Sequence, residues 1–213
     1  LPHLQAKRLR GGRRENSPFS EFDARWLRDP KTLPSLRPRI AFRDITNRTN
    51  QRTVIAALLP AEVFITNKGP YLLWPRGDKR DEAYLLGVLS SLPLDWYARR
   101  FVEVSVNFFI FNPFPVPRPL ADHPLRQRVV ELAGRLASPD DRFAAWAKEV
   151  GVACGPLAPD EKEDMTHELD AVVAHVYGLT EKHLAHIFET FHEGWDYEAR
   201  LRATLRHFRG LKS

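Results

Sequence analysis

Apolar and polar positions change rhythm several times along this chain. Ile40-Ala41-Phe42-Arg43-Asp44-Ile45 places Ile40 and Phe42 on one face, which predicts a strand. Residues 46–52 are polar and read as a loop. Residues 53–59 read as a second, more apolar strand ended by Pro60. Residues 63–66 and 71–74 flank Asn67-Lys68-Gly69-Pro70, a turn sequence that predicts a hairpin. Residues 81–102 then take helical spacing through Leu85, Leu89, Leu92 and Trp96, with Pro93 kinking or dividing the segment. Residues 104–111 read as another strand, and the alternating prolines of residues 113–119 leave it in extended form.

Residues 1–38 carry only scattered apolar positions. Gly11-Gly12 and Pro18, Pro30, Pro34 and Pro38 interrupt any long helix, so this stretch reads as a linker or arm. Phe19, Phe22, Trp26 and Leu27 allow one amphipathic turn that packs it at a single point. Beyond residue 120 the spacing is helical. Segments are expected over 125–137, 142–150 and 160–177, with Asp160 a cap and Gly178 a stop. Thr180 is placed to cap a further helix, with Leu179 and Leu184 as its hydrophobic staple. The expected fold class is α+β: a small twisted, mainly antiparallel sheet with packed helices, followed by a helical C-terminal layer. The expected divisions are a basic arm (1–37), a β-rich core (38–119) and a helical subdomain (120–213). No repeat is visible at solenoid periods.

Composition narrows the class. With 43% hydrophobic and 28% charged residues the chain has globular rather than disordered composition. Its apolar runs are far shorter than the ~18–20 residues of a membrane span. The single cysteine, Cys154, makes neither an internal disulfide nor a cysteine-based zinc site, and a reducing cytoplasm is expected. The start at Leu1, on an arginine-rich stretch, reads as part of a longer polypeptide.

Charge is distributed unevenly. Residues 1–52 hold 13 Lys/Arg against 5 Asp/Glu, and residues 120–213 hold 12 against 16. Arginine, whose planar fork suits phosphates and guanine edges, supplies eleven of the early thirteen. Lys7, Arg8, Arg10, Arg13 and Arg14 are therefore candidate phosphate contacts, set against a solvated basic tail as the plainer reading.

Catalytic chemistry is hard to find. Asn112-Pro113-Phe114 resembles the Asn/Asp/Ser-Pro-Pro-aromatic motif with which amino methyltransferases hold a flipped base. It lacks the Pro-Pro pair, and no glycine-rich strand-to-helix turn lies upstream to cradle S-adenosylmethionine. A proline-rich exit from a sheet explains it. Asp160-Glu161-Lys162 groups nuclease-type residues at a helix start, where capping is the simpler role. His183 and His186 share a spacing suited to metal but have no evident third ligand. No catalytic residue and no metal site is assigned.

The sequence RIAFRDITNRTNQRTVIAALLP (residues 39–60) concentrates another chemistry. Arg43, Asn47, Arg48, Asn50, Gln51 and Arg52 stand at a strand–loop–strand junction. Arginine reads guanine, and asparagine and glutamine read adenine, through paired hydrogen bonds in the major groove. The alternative is a polar loop whose side chains cap its own backbone. Asn67, Lys68 and Asn107 are further candidates for the same surface.

The order of features resembles the C-terminal target-recognition region of large adenine-specific DNA methyltransferases of restriction–modification and phage-defence systems, including fused type IIG enzymes. The matching stretches are Asn50-x-Arg52-Thr53, Phe64-Ile65-Thr66-Asn67, Tyr84-Leu85-Leu86-Gly87-Val88-Leu89-Ser90-Ser91, residues 94–101, residues 107–111 with their Pro-x-Pro exit, and Leu169-Asp170…Tyr177-Gly178-Leu179-Thr180. Ser90 stands where the family has asparagine. The resemblance spans residues 37–192 and implies a specificity domain that binds double-stranded DNA. It would follow a methyltransferase domain of the same chain, which would hold S-adenosylmethionine; no cofactor is expected within these residues. Two rivals stay open: a docking module for the catalytic domain or another defence subunit, and a small enzyme with an unrecognised site.

Overall fold

The computed structural model describes residues 2–15, 17–47, 50–74 and 77–211. The fold is α+β and more helical than the spacing suggested, with a sheet of only two short strands. β1 (Arg39–Phe42) is buried along its whole length and pairs antiparallel with β2 (Ala56–Leu59), Arg39 opposite Leu59 and Phe42 opposite Ala56. On the other edge of β1 the expected hairpin is replaced by single contacts. Phe42 N–H donates to Pro70 C=O and Leu72 N–H to Ile40 C=O, both at 2.9 Å. Pro70 itself has no N–H to extend a ladder.

The N-terminal stretch is not a loose arm. Helix α1 (Pro2–Gly11) packs on α2 (Ala24–Arg28), which Asp23 caps through the Trp26 N–H at 2.7 Å. Phe22 and Trp26 stack at 4.4 Å, so the expected single packing point is there and α1 is added to it.

Helices α3 (Lys79–Leu89) and α4 (Leu92–Ala98) are divided at Ser90-Ser91, with Pro93 inside the first turn of α4, where its missing N–H costs nothing. Residues 107–111, expected as strand, form helix α5 (Phe108–Phe111). The Asn107 side chain accepts the Ile110 N–H at 3.1 Å and turns the chain out of the ladder. The turn seats Phe111 on Phe42 (stacked, 4.2 Å) and Phe108 edge-on to the same ring (5.5 Å). The following proline run is held by two phenols: Tyr177 O–H donates to Pro115 C=O (2.7 Å) and Tyr84 O–H to Pro117 C=O (2.9 Å).

The C-terminal layer comprises α6 (Pro124–Leu136), α7 (Ala144–Val150), α8 (Pro159–Val176), α9 (Glu181–Glu189) and α10 (Glu198–Gly210). Asp160 does not cap α8. It lies within the first turn, where a carboxylate favours the helix dipole, and Pro159 opens the helix after Ala158. Gly178, at φ +67°, ends α8, and Thr180 caps α9 in a box completed by His183. Leu179 and Leu184 belong to one apolar cluster with Leu92, Phe188 and Phe208. A larger cluster joins Ile40 and Phe42 to Val129, Leu132 and Leu169. The sheet layer and helical layer thus share a core across the proline run.

Candidate nucleic-acid interface

The loop between β1 and β2 is held from beneath by α4. Asp95, fully buried on that helix, accepts the backbone N–H of Thr53 (2.9 Å) and of Val54 (2.8 Å). Arg52 Nε lies 2.7 Å from the same carboxylate as an ion pair without hydrogen-bond alignment, while its Nη2 donates to Ser91 C=O at 3.2 Å. Burial pushes the Asp95 carboxyl above the ordinary range, opposed by Arg52, the Val54 N–H and Arg99. Arg99, one turn further on, donates to Asn50 C=O and lies 3.9 Å over the Phe191 ring. Burial lowers its pKa, with Asp95 opposing. Within the loop, Thr46 O–H donates to Thr53 C=O at 2.9 Å, closing the hairpin.

This frame sorts the candidate readers. Arg43, Asn47 and Gln51 are exposed. Arg52 is turned inward and withdrawn from readout, because Asp95 supplies the buried counter-charge; the pairing is with Asp95 and not with nearby Asp44. Asn50 is half-buried, its backbone N–H donating to Asn47 C=O and its amide to Thr46 Oγ1 (3.4 Å), which is the self-capping role. Arg48 lies outside the described residues.

Asp44 draws two further segments onto the same rim. Its N–H donates to Lys68 C=O (3.0 Å), its C=O accepts the Val106 N–H (2.7 Å), and its carboxylate pairs with Lys68 Nζ (3.1 Å). Thr46 N–H donates to Val104 C=O at 3.0 Å. Asn67 and Lys68 are exposed, Lys68 beside Asp44, and Asn107 is exposed at the end of the third segment, its carbonyl oxygen engaged in capping α5.

Among the phosphate candidates, Arg8 is a correction. Its side chain is buried, donating to Thr32 Oγ1 (2.7 Å), Leu27 C=O (2.7 Å) and Asp29 C=O (2.8 Å), and so fastens α1 to the chain beneath. Lys7, Arg10, Arg13 and Arg14 are exposed and make no ion pair with any described residue. Lys7 and Arg10 lie on α1, and Arg13 and Arg14 follow in the turn after it, where the Arg14 N–H donates to Gly11 C=O at 3.0 Å.

No family model, curated protein or solved structure matches this chain.

The methyltransferase-like tripeptide has no base-binding form here. Phe114 is buried against Phe111 (5.5 Å) and Tyr97 (6.4 Å), so its ring has no open face to stack on a flipped adenine. The described residues contain no group of three His, Cys, Asp or Glu placed to hold a metal, and no described helix is long and apolar enough to cross a membrane.

Sequence reading missed Asp95 and Arg99, although a signal existed. Leu92, Asp95 and Arg99 stand at helical spacing, so two charges fall on an otherwise apolar stripe. It also missed several exposed apolar side chains: Ile45, Phe64, Phe101, Val104 and Phe109.

Proposed function

We propose that this chain is the sequence-recognition domain of an adenine-specific DNA methyltransferase, binding double-stranded DNA in the cytoplasm on behalf of a catalytic domain that holds S-adenosylmethionine. The observation that carries the reading is that Arg43, Asn47, Gln51, Asn67 and Lys68 are exposed on segments whose backbone is anchored through Asp44 and Asp95. Base readout by paired hydrogen bonds needs donors and acceptors held at fixed geometry. A loop tied by a buried carboxylate to a packed helix supplies that. The cations of α1 and the turn after it provide the non-specific phosphate contacts that position a protein on its site.

A second reading has its own support. The exposed apolar side chains suit a docking surface for the catalytic domain or another defence subunit. Salt separates the two. DNA recognition predicts duplex binding at roughly 10⁻⁴–10⁻⁶ M that weakens steeply as salt rises. Affinity that is unchanged between low and high salt favours docking.

A further inference from the structure

We propose that the cleft between α1 and residues 64–74 binds single-stranded nucleic acid. The proposal rests on the reading above for its class of ligand and shares with it the cations Lys7, Arg10 and Arg14. The cleft is an open groove of about 1320 Å³, larger than the roughly 300–1,000 Å³ of a small-molecule pocket and long enough for a polymer segment. One wall presents Lys7, Arg10 and Arg14, spaced three and four residues apart and free of ion pairs with the described residues. Arginines elsewhere are widely neutralised, as Arg126, Arg128, Arg200 and Arg209 are by Asp81, Glu168, Asp170 and Glu181. Arg8, beneath that wall, fixes the helix that carries Lys7 and Arg10.

The opposite wall and floor are aromatic. Phe64 is 62% and Phe108 40% exposed, and Trp74 lies further along the same wall. Cations along one side and open rings along the other are what a single strand requires, since its phosphates need charge and its unpaired bases need stacking partners. A duplex keeps its base faces stacked on one another and leaves Phe64 and Phe108 without a stacking partner. An acidic peptide satisfies the cations but gives the rings no planar faces. Glu15 and Glu21 also line the cleft, and their carboxylates disfavour phosphate next to them. Asn67 lines the cleft and also stands on the readout rim, so a strand leaving a duplex on the rim enters the cleft directly.

Fluorescence anisotropy on the 213-residue chain tests this with labelled oligo-dT, its duplex with oligo-dA, and polyglutamate as competitor. Oligo-dT is expected to bind more tightly than the duplex. Phe64→Leu and Phe108→Leu should each weaken it about tenfold with the salt slope unchanged. Replacing Lys7, Arg10 and Arg14 by Ala together should flatten the log–log salt slope by roughly 2. Should Phe108→Leu disturb the fold through its contact with Phe42, Phe64→Ser, at a mostly exposed position, decides alone. Oligo-dT binding indifferent to the Phe64 variants, or displaced as readily by polyglutamate as by unlabelled oligo-dT, overturns the proposal in favour of an acidic-peptide site. Oligo-dT binding intact with no binding of the duplex even at low salt would count against the reading above and leave this one standing.

Discussion

Asp95 accepts the backbone N–H of Val54 at 2.8 Å, so a carboxylate buried on one helix fixes a loop 41 residues earlier in the chain. That bond, with its companion to Thr53 and the Arg52 ion pair, converts a polar loop into a rigid edge.

Removing the carboxylate should therefore be costly. Asp95→Ala leaves Arg52 and Arg99 without their counter-charge, and a loss of about 3 kcal/mol is expected, the low end for a broken buried pair because Arg52 is one-quarter exposed. Urea unfolding measures it. Asp95→Asn keeps one acceptor and should lose less, while speeding amide exchange at Thr53 and Val54. Unchanged exchange at both amides would show that the loop is held elsewhere.

The arginines of α1 should separate by role. Arg8→Ala removes three charge-assisted bonds and should release α1, seen as faster proteolysis within residues 2–15. Arg10, Arg13 and Arg14 replaced together should leave proteolysis unchanged and weaken duplex binding to all sequences alike. Equal proteolytic sensitivity in the two variants would contradict this division.

Gly87 on α3 lies close against α6. A Cβ there would sit 2.6 Å from Val129 Cγ1 and 3.0 Å from the Ala133 Cβ. Gly87→Ala should destabilise by about 1–3 kcal/mol despite the gain in helix propensity. Adding Val129→Ala should recover part of the loss. Additive losses in the double variant would mean that the two positions do not meet.

Alkaline pH should loosen the proline run. Burial raises the Tyr84 phenol from 10.0 to about 12 and raises Tyr177 as well. Each folded phenol holds its proton while the unfolded one loses it. Their contribution is complete below pH 10 and is lost as pH rises from 10 through the folded values. Tyr84→Phe should reduce that alkaline fall and cost about 1 kcal/mol at neutral pH for the bond to Pro117. Identical alkaline profiles for parent and variant would count against it.

These positions show which features the chain declares in its own order. Strand β1, the break at Pro93, the stop at Gly178 and the cap at Thr180 were legible because each depends on local spacing or a local side-chain bond. Residues 104–106 keep the expected extended pairing, through the Ile45–Ser105 bridge, but residues 108–111 were misread: their apolar run suits a strand, and Asn107 and the packing of Phe111 on Phe42 turn them into a helix. The hairpin at 63–74 failed for a related reason. Its turn residues are right, but the partner of residues 70–72 is β1 and not their own neighbour. At the candidate site, Arg43, Asn47 and Gln51 stayed exposed, as the polar pattern of the loop suggested. Arg8 and Arg52 were lost to the interior because their acceptors lie 19–24 and 43 residues away, beyond the reach of a local reading.

The central claim is that Arg43, Asn47 and Gln51 read bases. Repeated selection of the chain at low salt from a randomised duplex library tests it most directly, with Arg43→Ala and Gln51→Ala selected in parallel. The parent should enrich a defined sequence, and each variant should relax one base position by roughly 1–3 kcal/mol of discrimination while keeping the others. A parent that enriches nothing, or variants that enrich the parent's sequence unchanged, would contradict the account.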